Sequence, residues 1–248
     1  MNRGVKKSIM YNTNQFEKDL QVLNISLTDK QINQFISYYE ILTEWNNVMN
    51  LTAIKDYEDV LKKHFIDSLS LVKANVITGK ISLIDIGTGA GFPGIPLKIA
   101  FPEIKITLLD SLNKRVKFLN EVISKLQLND IDAIHGRAED MARPDLLREK
   151  YDLCVSRAVA NLATLSEYCL PFVKVKGNFI PYKSEKSEQE VQEAKKAIDV
   201  LGGVIENEVE LYLPNSDIYR KLIIIKKNKE TPSKYPRKAG LPSKEPIC

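Results

Sequence analysis

The 248-residue chain is poor in side chains that bind metals or form disulfides: it has two histidines and three cysteines. Cys154, Cys169 and Cys248 form no C-x-x-C pair. An odd count at irregular spacing argues against a disulfide framework and for a reducing compartment. With His64 and His135 as the only histidines, no zinc-type ligand cluster can be assembled, so no metal is expected. No stretch approaches the roughly 20 apolar residues that a bilayer span needs. Met1 to Gln15 carries Lys6 and Lys7 with no apolar run behind them, so no secretory leader is expected. These absences point to a soluble, cytoplasmic protein. A strong charge of either sign is also missing. The net charge of +4 permits an anionic partner without demanding one. Internal repeats and low-complexity segments are absent. Glycine is scarce, at 11 residues, yet four of them fall between positions 87 and 94.

What is present is an ordinary globular balance, 44% hydrophobic and 27% charged, enough to bury a full core. Residues 1–75 read as a helical extension. Thr28 and Gln31 have capping-box spacing, and Ile32, Phe35, Ile36, Tyr39, Leu42 and Trp45 follow at helical spacing. A second helix is predicted from about Asp56 to Val72, before Gly79. From residue 81 the rhythm becomes strand, turn, helix. Strands are predicted at 81–86, 104–110, 131–134, 151–155 and 178–181. Helices are predicted at 93–100, after a cap at Ser111, at 162–170 and at 185–201. Two β-rich stretches, 204–213 and 219–227, follow without an intervening helix and predict an antiparallel pair at an edge. Alternating strands and helices imply a mostly parallel sheet with helices on both faces, over residues 76–228. Residues 229–248 form a basic tail. From Lys226 onward there are seven Lys or Arg against two Glu, with Pro232, Pro236, Pro242 and Pro246. Such a segment is expected to be extended or mobile unless a partner orders it.

The most informative segment is Asp85-Ile86-Gly87-Thr88-Gly89-Ala90-Gly91-Phe92-Pro93-Gly94. It follows a predicted strand and opens a predicted helix. Glycines there permit positive φ and close approach of a ligand to the backbone. The helix N-terminus offers free N–H groups and a positive dipole, so bared main-chain amides are expected to cradle the ligand. Gly89 to Gly94 spells GxGxxG, and Asp110 ends the next strand, where an acid can accept hydrogen bonds from ribose hydroxyls. Both features fit a dinucleotide and an adenosyl ligand alike. The first glycine directly after the strand makes the series Asp85-x-Gly87-x-Gly89-x-Gly91. That resembles the first motif of class I methyltransferases more than a dehydrogenase fingerprint, with Asp85 near the ligand's amino-acid end.

Several segments together resemble the RsmG family, also called glucose-inhibited division protein B. They are Trp45-Asn46-Asn47-Val48-Met49-Asn50-Leu51-Thr52-Ala53-Ile54, His64-Phe65-Ile66-Asp67-Ser68-Leu69, the glycine loop with its trailing Pro93-Gly94-Ile95-Pro96, and Leu109 to Arg115. Gly136-Arg137-Ala138-Glu139, Ser156-Arg157-Ala158-Val159-Ala160 and Thr231 to Gly240 complete the set. The resemblance runs in order from about residue 16 to 247. One departure is Tyr182-Lys183-Ser184, where the family carries Lys-Gly. The resemblance implies a class I, Rossmann-like methyltransferase with S-adenosyl-L-methionine as donor. The implied acceptor is N7 of a guanine in the helix-18 loop of bacterial 16S rRNA, met as RNA or within the small ribosomal subunit. It also implies that Gly87 and Phe92 line the donor site, that Ala138 and Glu139 contact adenosine, and that Arg157 reaches the site from the fourth strand.

The chemistry agrees with this. Guanine N7 is a lone-pair nucleophile without a proton, so its methylation needs proximity and alignment rather than a general base. No catalytic acid or base is assigned. Arg157 is the candidate for positioning the base, by stacking or by binding a phosphate; the alternative is an ion pair with Asp85, Asp110 or Glu139. Arg137, Lys183, Lys234, Arg237 and Lys238 are candidate RNA contacts. The alternative for Arg137 is support of the Glu139 loop, and for the tail a solubilising role. His64 is either a packing residue or a contact from the helical cap. Lys114, Arg115 and Lys117 form a solvated helix side or a phosphate contact. Cys154 and Cys169 are expected as core fillers. Two rival functions remain open: an NAD-dependent oxidoreductase, resting on GxGxxG and Asp110, and a non-catalytic RNA-binding protein. The single compact domain suits a monomer.

Overall fold

A computed structural model describes residues 11–184 and 187–247. The N-terminal residues with Lys6 and Lys7, the expected helix start at Glu185 and the last cysteine, Cys248, lie outside the described residues. The N-terminal part is helical. It holds α1 (Asn14–Val22) and α2 (Asp29–Met49), followed by one segment of changing pitch. That segment begins as α3 (Tyr57–Val60), widens into a π turn over Leu61–Ile66, returns to α4 (Asp67–Leu69) and tightens into a 3-10 turn over Ser70–Ala74. Thr28 forms the expected capping box with Gln31. Phe35, Tyr38, Ile41 and Leu42 face inward from α2.

The alternating part then runs β1 (Ser82–Ile86), α5 (Gly94–Ala100), β2 (Lys105–Asp110), α6 (Asn113–Lys125), β3 (Ile131–His135), α7 (Ala138–Met141) and β4 (Tyr151–Arg157). After it come α8 (Leu162–Cys169), β5 (Val173–Lys183), α9 (Ser187–Val200), β6 (Gly203–Tyr212), β7 (Tyr219–Lys227) and the short α10 (Leu241–Lys244). The strands form one sheet in the order β3-β2-β1-β4-β5-β7-β6. The first five are parallel, and β7 runs antiparallel to both β5 and β6. This is the class I methyltransferase arrangement. The strand order reverses beside β1, between β2 and β4, and ligands of open α/β sheets sit outside the strands' carboxyl ends at such a point.

Alternate residues of each strand enter different cores. Leu83, Ile180, Leu222 and Ile224 join the helical extension on one face. Ile84, Phe179, Ile223 and Ile225 pack under α8 and α9 on the other. The extension therefore shares a single apolar core with the sheet. Cys154 and Cys169 are both buried and free. Among the described residues no helix is long and apolar enough to cross a membrane.

Three expectations need correction. β5 starts at Val173 rather than Asn178. Its first half is broken by Lys176 at φ +75° and by a register shift against β4, so it lacks simple alternation. Ser111 does not cap α6, which starts at Asn113; the Leu112 amide instead donates to Asp110 Oδ1 at 2.9 Å. The basic tail is not extended and free but packs on the α8 side of the sheet. Arg237 grips the buried carboxylate of Glu167, with Nη2 to Oε2 at 2.6 Å and its backbone N to Oε1 at 2.7 Å. Arg148 donates to the carbonyls of Thr231 and Tyr235.

One bond ties the extension to the glycine loop: the buried Tyr38 hydroxyl donates to the Ala90 carbonyl. Tyr38→Phe leaves that carbonyl without its partner, which costs about 1–3 kcal/mol. A denaturant melt should show the midpoint falling with an unchanged slope; an unchanged midpoint would mean that the bond contributes nothing.

Candidate active site at the carboxyl edge of the sheet

Two carboxylates shape the glycine loop. Asp85, near the tip of β1, is fully buried. Its Oδ2 accepts from the Thr88 hydroxyl at 2.7 Å and from the Gly94 amide at 2.9 Å. Its Oδ1 is buried and accepts no hydrogen bond among the described residues. Asp110, at the tip of β2, is 2% exposed. Its Oδ2 accepts from the Gly89 amide at 2.9 Å and from Arg115 at 3.3 Å. Gly87, Gly89 and Gly91 all have positive φ.

The expectation of bared amides is therefore corrected. Gly87 N and Thr88 N donate to the Leu109 carbonyl, and Gly91 N and Phe92 N to the Thr88 carbonyl. The glycines make the loop's shape, and its amides are spent holding that shape. The same geometry bears on the dinucleotide reading. A pyrophosphate needs the free amides of a helix N-terminus. Here Asp85 already occupies the Gly94 amide, and its charge repels a second anion.

Beside the loop lies a cleft of about 320 Å³, within the ~300–1,000 Å³ range usual for small-molecule sites. Ile86 and Gly87 of the first strand end line it, with Leu109, Ser111 and Leu112 after β2. Arg137, Ala138 and Glu139 close a second side, Val159 and Tyr168 a third. Gly87 adopts φ +68°, and a Cβ there would stand 2.6 Å from a Val159 methyl. The tail reaches the same cleft through Gly240 and Ser243. Of the residues expected at the donor site, Gly87, Ala138 and Glu139 line it, and Asp85, Gly89, Gly91, Phe92, Asp110 and Arg157 do not. Asp110 sits beneath the loop, and Phe92 faces the helical cap. Glu139 lines the cleft, but its Oε1 is taken by the Gly240 amide at 2.8 Å.

On the cap side, Phe92 is the centre of a stack. The His64 ring lies parallel to it, 4.4 Å away at 15°, and Arg157 sits over it at 5.2 Å. The family-like segment Trp45 to Ile54 fixes His64. Asn46 exchanges two 2.9 Å bonds with the Thr52 backbone, and the Thr52 hydroxyl lies 2.8 Å from His64 Nε2. Arg157 Nη2 is 3.3 Å from His64 Nδ1. Because Arg157 can only donate, Nδ1 carries no proton and Nε2–H donates to Thr52. Burial and the neighbouring guanidinium push the His64 pKa down to about 3. The ion-pair partner of Arg157 is none of the three acids expected but Asp67, at 3.1 Å. Asp67 also binds Arg220 of β7 through both oxygens, at 2.9 and 3.0 Å. Arg220 and Asp67 were missed as site residues; the apolar run of β7 gives no sign that Arg220 at its start meets Asp67 of α4.

The proposed RNA contacts divide. Lys183 is committed to Glu190 Oε1 at 2.6 Å and to the Ala160 carbonyl at 3.2 Å, pinning the loop after β4. Arg237 is committed to Glu167. Arg137, Lys234 and Lys238 are exposed, with Lys234 over the Tyr235 ring at 5.2 Å. Lys114 and Lys117 are exposed on α6, while Arg115 turns to Asp110. Among the described residues no group of three or more His, Cys, Asp or Glu could hold a metal ion.

Burial raises the Asp85 pKa to about 6, against the lowering pull of Thr88 and Gly94. The folded state thus binds Asp85's proton more readily than the unfolded state, and stability from this group falls as pH rises from about 4 to 6. His64 acts oppositely. Its folded pKa lies below its unfolded value, so stability is lost as pH falls below about 6.5. The two slopes, each on the order of 1 kcal/mol per pH unit, oppose one another near pH 5. Asp85→Asn should unmask the His64 slope, so that melting midpoints drop more steeply than wild type between pH 6 and 4. Parallel curves would refute this assignment.

Comparisons with known proteins give the family and the fold. The family model GidB, described as rRNA small subunit methyltransferase G, matches residues 31–218. A relative named Ribosomal RNA small subunit methyltransferase G from Lachnoclostridium phytofermentans is 54% identical over 96% of this chain and 98% of its own. One of the same name from Alkaliphilus oremlandii is 57% identical over 92% and 95%. Among solved structures, a SAM dependent methyltransferase from Aquifex aeolicus has TM-score 0.51 at 17% identity, covering 68% of this chain and 93% of its own, a likeness of fold. A glycine loop held by two buried acids, on a chain matched along nearly its whole length, places this protein in the rRNA small subunit methyltransferase G family.

Proposed function

We propose that this protein transfers a methyl group from S-adenosyl-L-methionine to small-subunit ribosomal RNA. The acceptor is N7 of a guanine in the helix-18 loop of 16S rRNA, as the family resemblance implies. The protein acts in the cytoplasm, as a monomer. The observation that carries this reading is the cleft at the strand-order reversal, lined by Gly87, Ala138 and Glu139. Those three residues would hold the donor, which supplies an electrophilic methyl when bound. Asp85 does not line the cleft; it would act through the shape of the glycine loop, whose Thr88 hydroxyl and Gly94 amide donate to it.

The chain's own residues have one task, alignment. N7 has no proton to remove, and no side chain is poised to remove one: His64 keeps its lone pair on Arg157 and its N–H on Thr52. Arg157 is held on three sides, by Asp67, His64 and the Lys63 carbonyl at 3.3 Å. A guanidinium fixed in this way offers a flat cation against which a base can stack. Asp67 serves both Arg157 and Arg220, so the cluster keeps a positive charge that suits a phosphate. Lys183 and Glu190 fix the loop that borders it. We assign phosphate contacts to the exposed Arg137, Lys234 and Lys238; Arg237 and Lys183, tied in ion pairs, support the protein.

Purified protein given donor with a labelled methyl should mark one guanine of small-subunit RNA, located by mass mapping. Label on another atom, or none with the fold intact, overturns the proposal. Gly87→Val should abolish binding of S-adenosylhomocysteine, because the strained backbone and the Val159 clash close the cleft. Arg157→Ala should cut turnover about 100-fold through misplacement of the base while leaving that binding measurable. Full turnover in this variant would remove Arg157 from the site.

A further inference from the structure

The last residues of the chain reach the cleft by a route that their charge does not suggest. Gly240 adopts φ +84° and directs its amide to Glu139 Oε1 at 2.8 Å. Glu139 is 5% exposed. It is the residue expected to contact adenosine, yet it spends an oxygen on the tail. Gly240 and Ser243 then line the same cleft as Gly87 and Ala138. The Ser243 hydroxyl closes this turn on the Gly240 carbonyl at 3.0 Å. The turn is anchored on both sides. Arg237 binds Glu167, which is 1% exposed, and the Thr164 hydroxyl of α8 donates to the Pro242 carbonyl at 3.0 Å. Nothing lies within 4 Å of a Cβ built on Gly240, so φ rather than space demands glycine there.

We infer that the Gly240–Ser243 turn is a wall of the donor site, and that the C-terminal segment governs donor affinity as a fixed part of the cleft. The inference rests on the methyltransferase reading above. The basic tail, on this account, is a structural element whose turn meets the adenosyl end of the donor. Its lysines, Lys229, Lys234, Lys238 and Lys244, are exposed. A small-molecule site gains affinity when its walls are held before binding, because less ordering accompanies the association. The Arg237–Glu167 pair and the Glu139–Gly240 bond provide that ordering in advance.

Two variants test the inference in the full fold. The first ends the chain after Lys238, which removes the turn and keeps Arg237. The second, Ser243→Trp, places a large ring at the cleft; Ser243 is exposed, so folding is not at risk. Calorimetry with S-adenosylhomocysteine should show both binding at least about tenfold weaker than wild type, a loss on the order of 1.4 kcal/mol. Binding of a single-stranded RNA oligonucleotide is measured beside it. If both variants keep wild-type affinity for S-adenosylhomocysteine, the inference is overturned, whether or not RNA binding falls. If the truncated chain does not fold, Ser243→Trp alone decides. If the wild-type protein binds no S-adenosylhomocysteine, the donor reading itself fails, an outcome that the variants cannot mimic.

Discussion

Asp85 and Asp110 end neighbouring strands, and between them they hold the glycine loop from both sides. Each carboxylate is removed from water, a step that costs several kcal/mol unless hydrogen bonds offset it. For Asp85 they do so only in part: Thr88 and Gly94 satisfy one oxygen and leave the other orphaned. This half-satisfied acid accounts for much of the site. It fixes where α5 begins, because Gly94 must approach the carboxylate closely. It sets a negative charge at that helix start, where the peptide dipoles favour it. It also excludes a ligand anion from the place where a dinucleotide would put its phosphates. The motif that spells a phosphate loop is here a loop built around an acid.

From that loop the connections run outward through Phe92. Its ring carries His64 on one side and Arg157 above, and each of these is held by a segment distant in the chain. Asn46 fixes Thr52, Thr52 fixes His64, and Asp67 fixes Arg157 together with Arg220. Segments that read as separate signatures are thus one connected body, spanning the helical cap and the ends of β4 and β7. The π turn explains how the cap reaches. One residue wider than an α turn, it carries Lys63 and His64 toward the strand ends while Phe65 and Ile66 stay in the core. The extension is therefore part of the active-site side of the sheet, positioned by the same aromatic packing that gives it a core.

Most of the fold was legible in the sequence because it rests on local rules. Short apolar, β-rich runs mark β1, β2 and β7, and Thr28 with Gln31 announces α2. What could not be read depends on partners brought from elsewhere. Ser111 has the chemistry of a cap, but α6 starts only at Asn113, and the Leu112 amide before it donates to Asp110. The loop amides look free in sequence, since their acceptors appear only once the loop folds: Leu109 and Asp110 on the neighbouring strand, and Thr88 and Asp85 across the turn itself. Arg157 was matched to acids at strand tips; its real partner lies on a helical segment whose pitch changes three times between Val60 and Ser70, and no periodicity reveals the direction of Asp67. The first half of β5 was lost because a left-handed Lys176 breaks its alternation.

The tail shows the same failure at larger scale, with a physical cause. A basic, proline-rich composition means that a segment cannot build a core of its own. It says nothing about whether an existing fold has a place for it. Here the sheet and its helices bury Glu167 and Glu139 almost completely, and Glu149 in part. Buried acids demand donors. The tail brings them: Arg237 for Glu167, the Gly240 amide for Glu139, and the Thr231 amide for Glu149 at 2.8 Å. Removing the tail would take these donors from Glu167 and Glu139 in a low-dielectric interior, while Glu149 would keep Lys227 of β7, so the tail's order is a property of the domain and not of the segment. Lys234 and Lys238 stay exposed, while the charge of Arg237 is neutralised by Glu167, an acid hidden on another element. The bonds that neutralise it are the ones that carry the turn at Gly240 to the edge of the cleft.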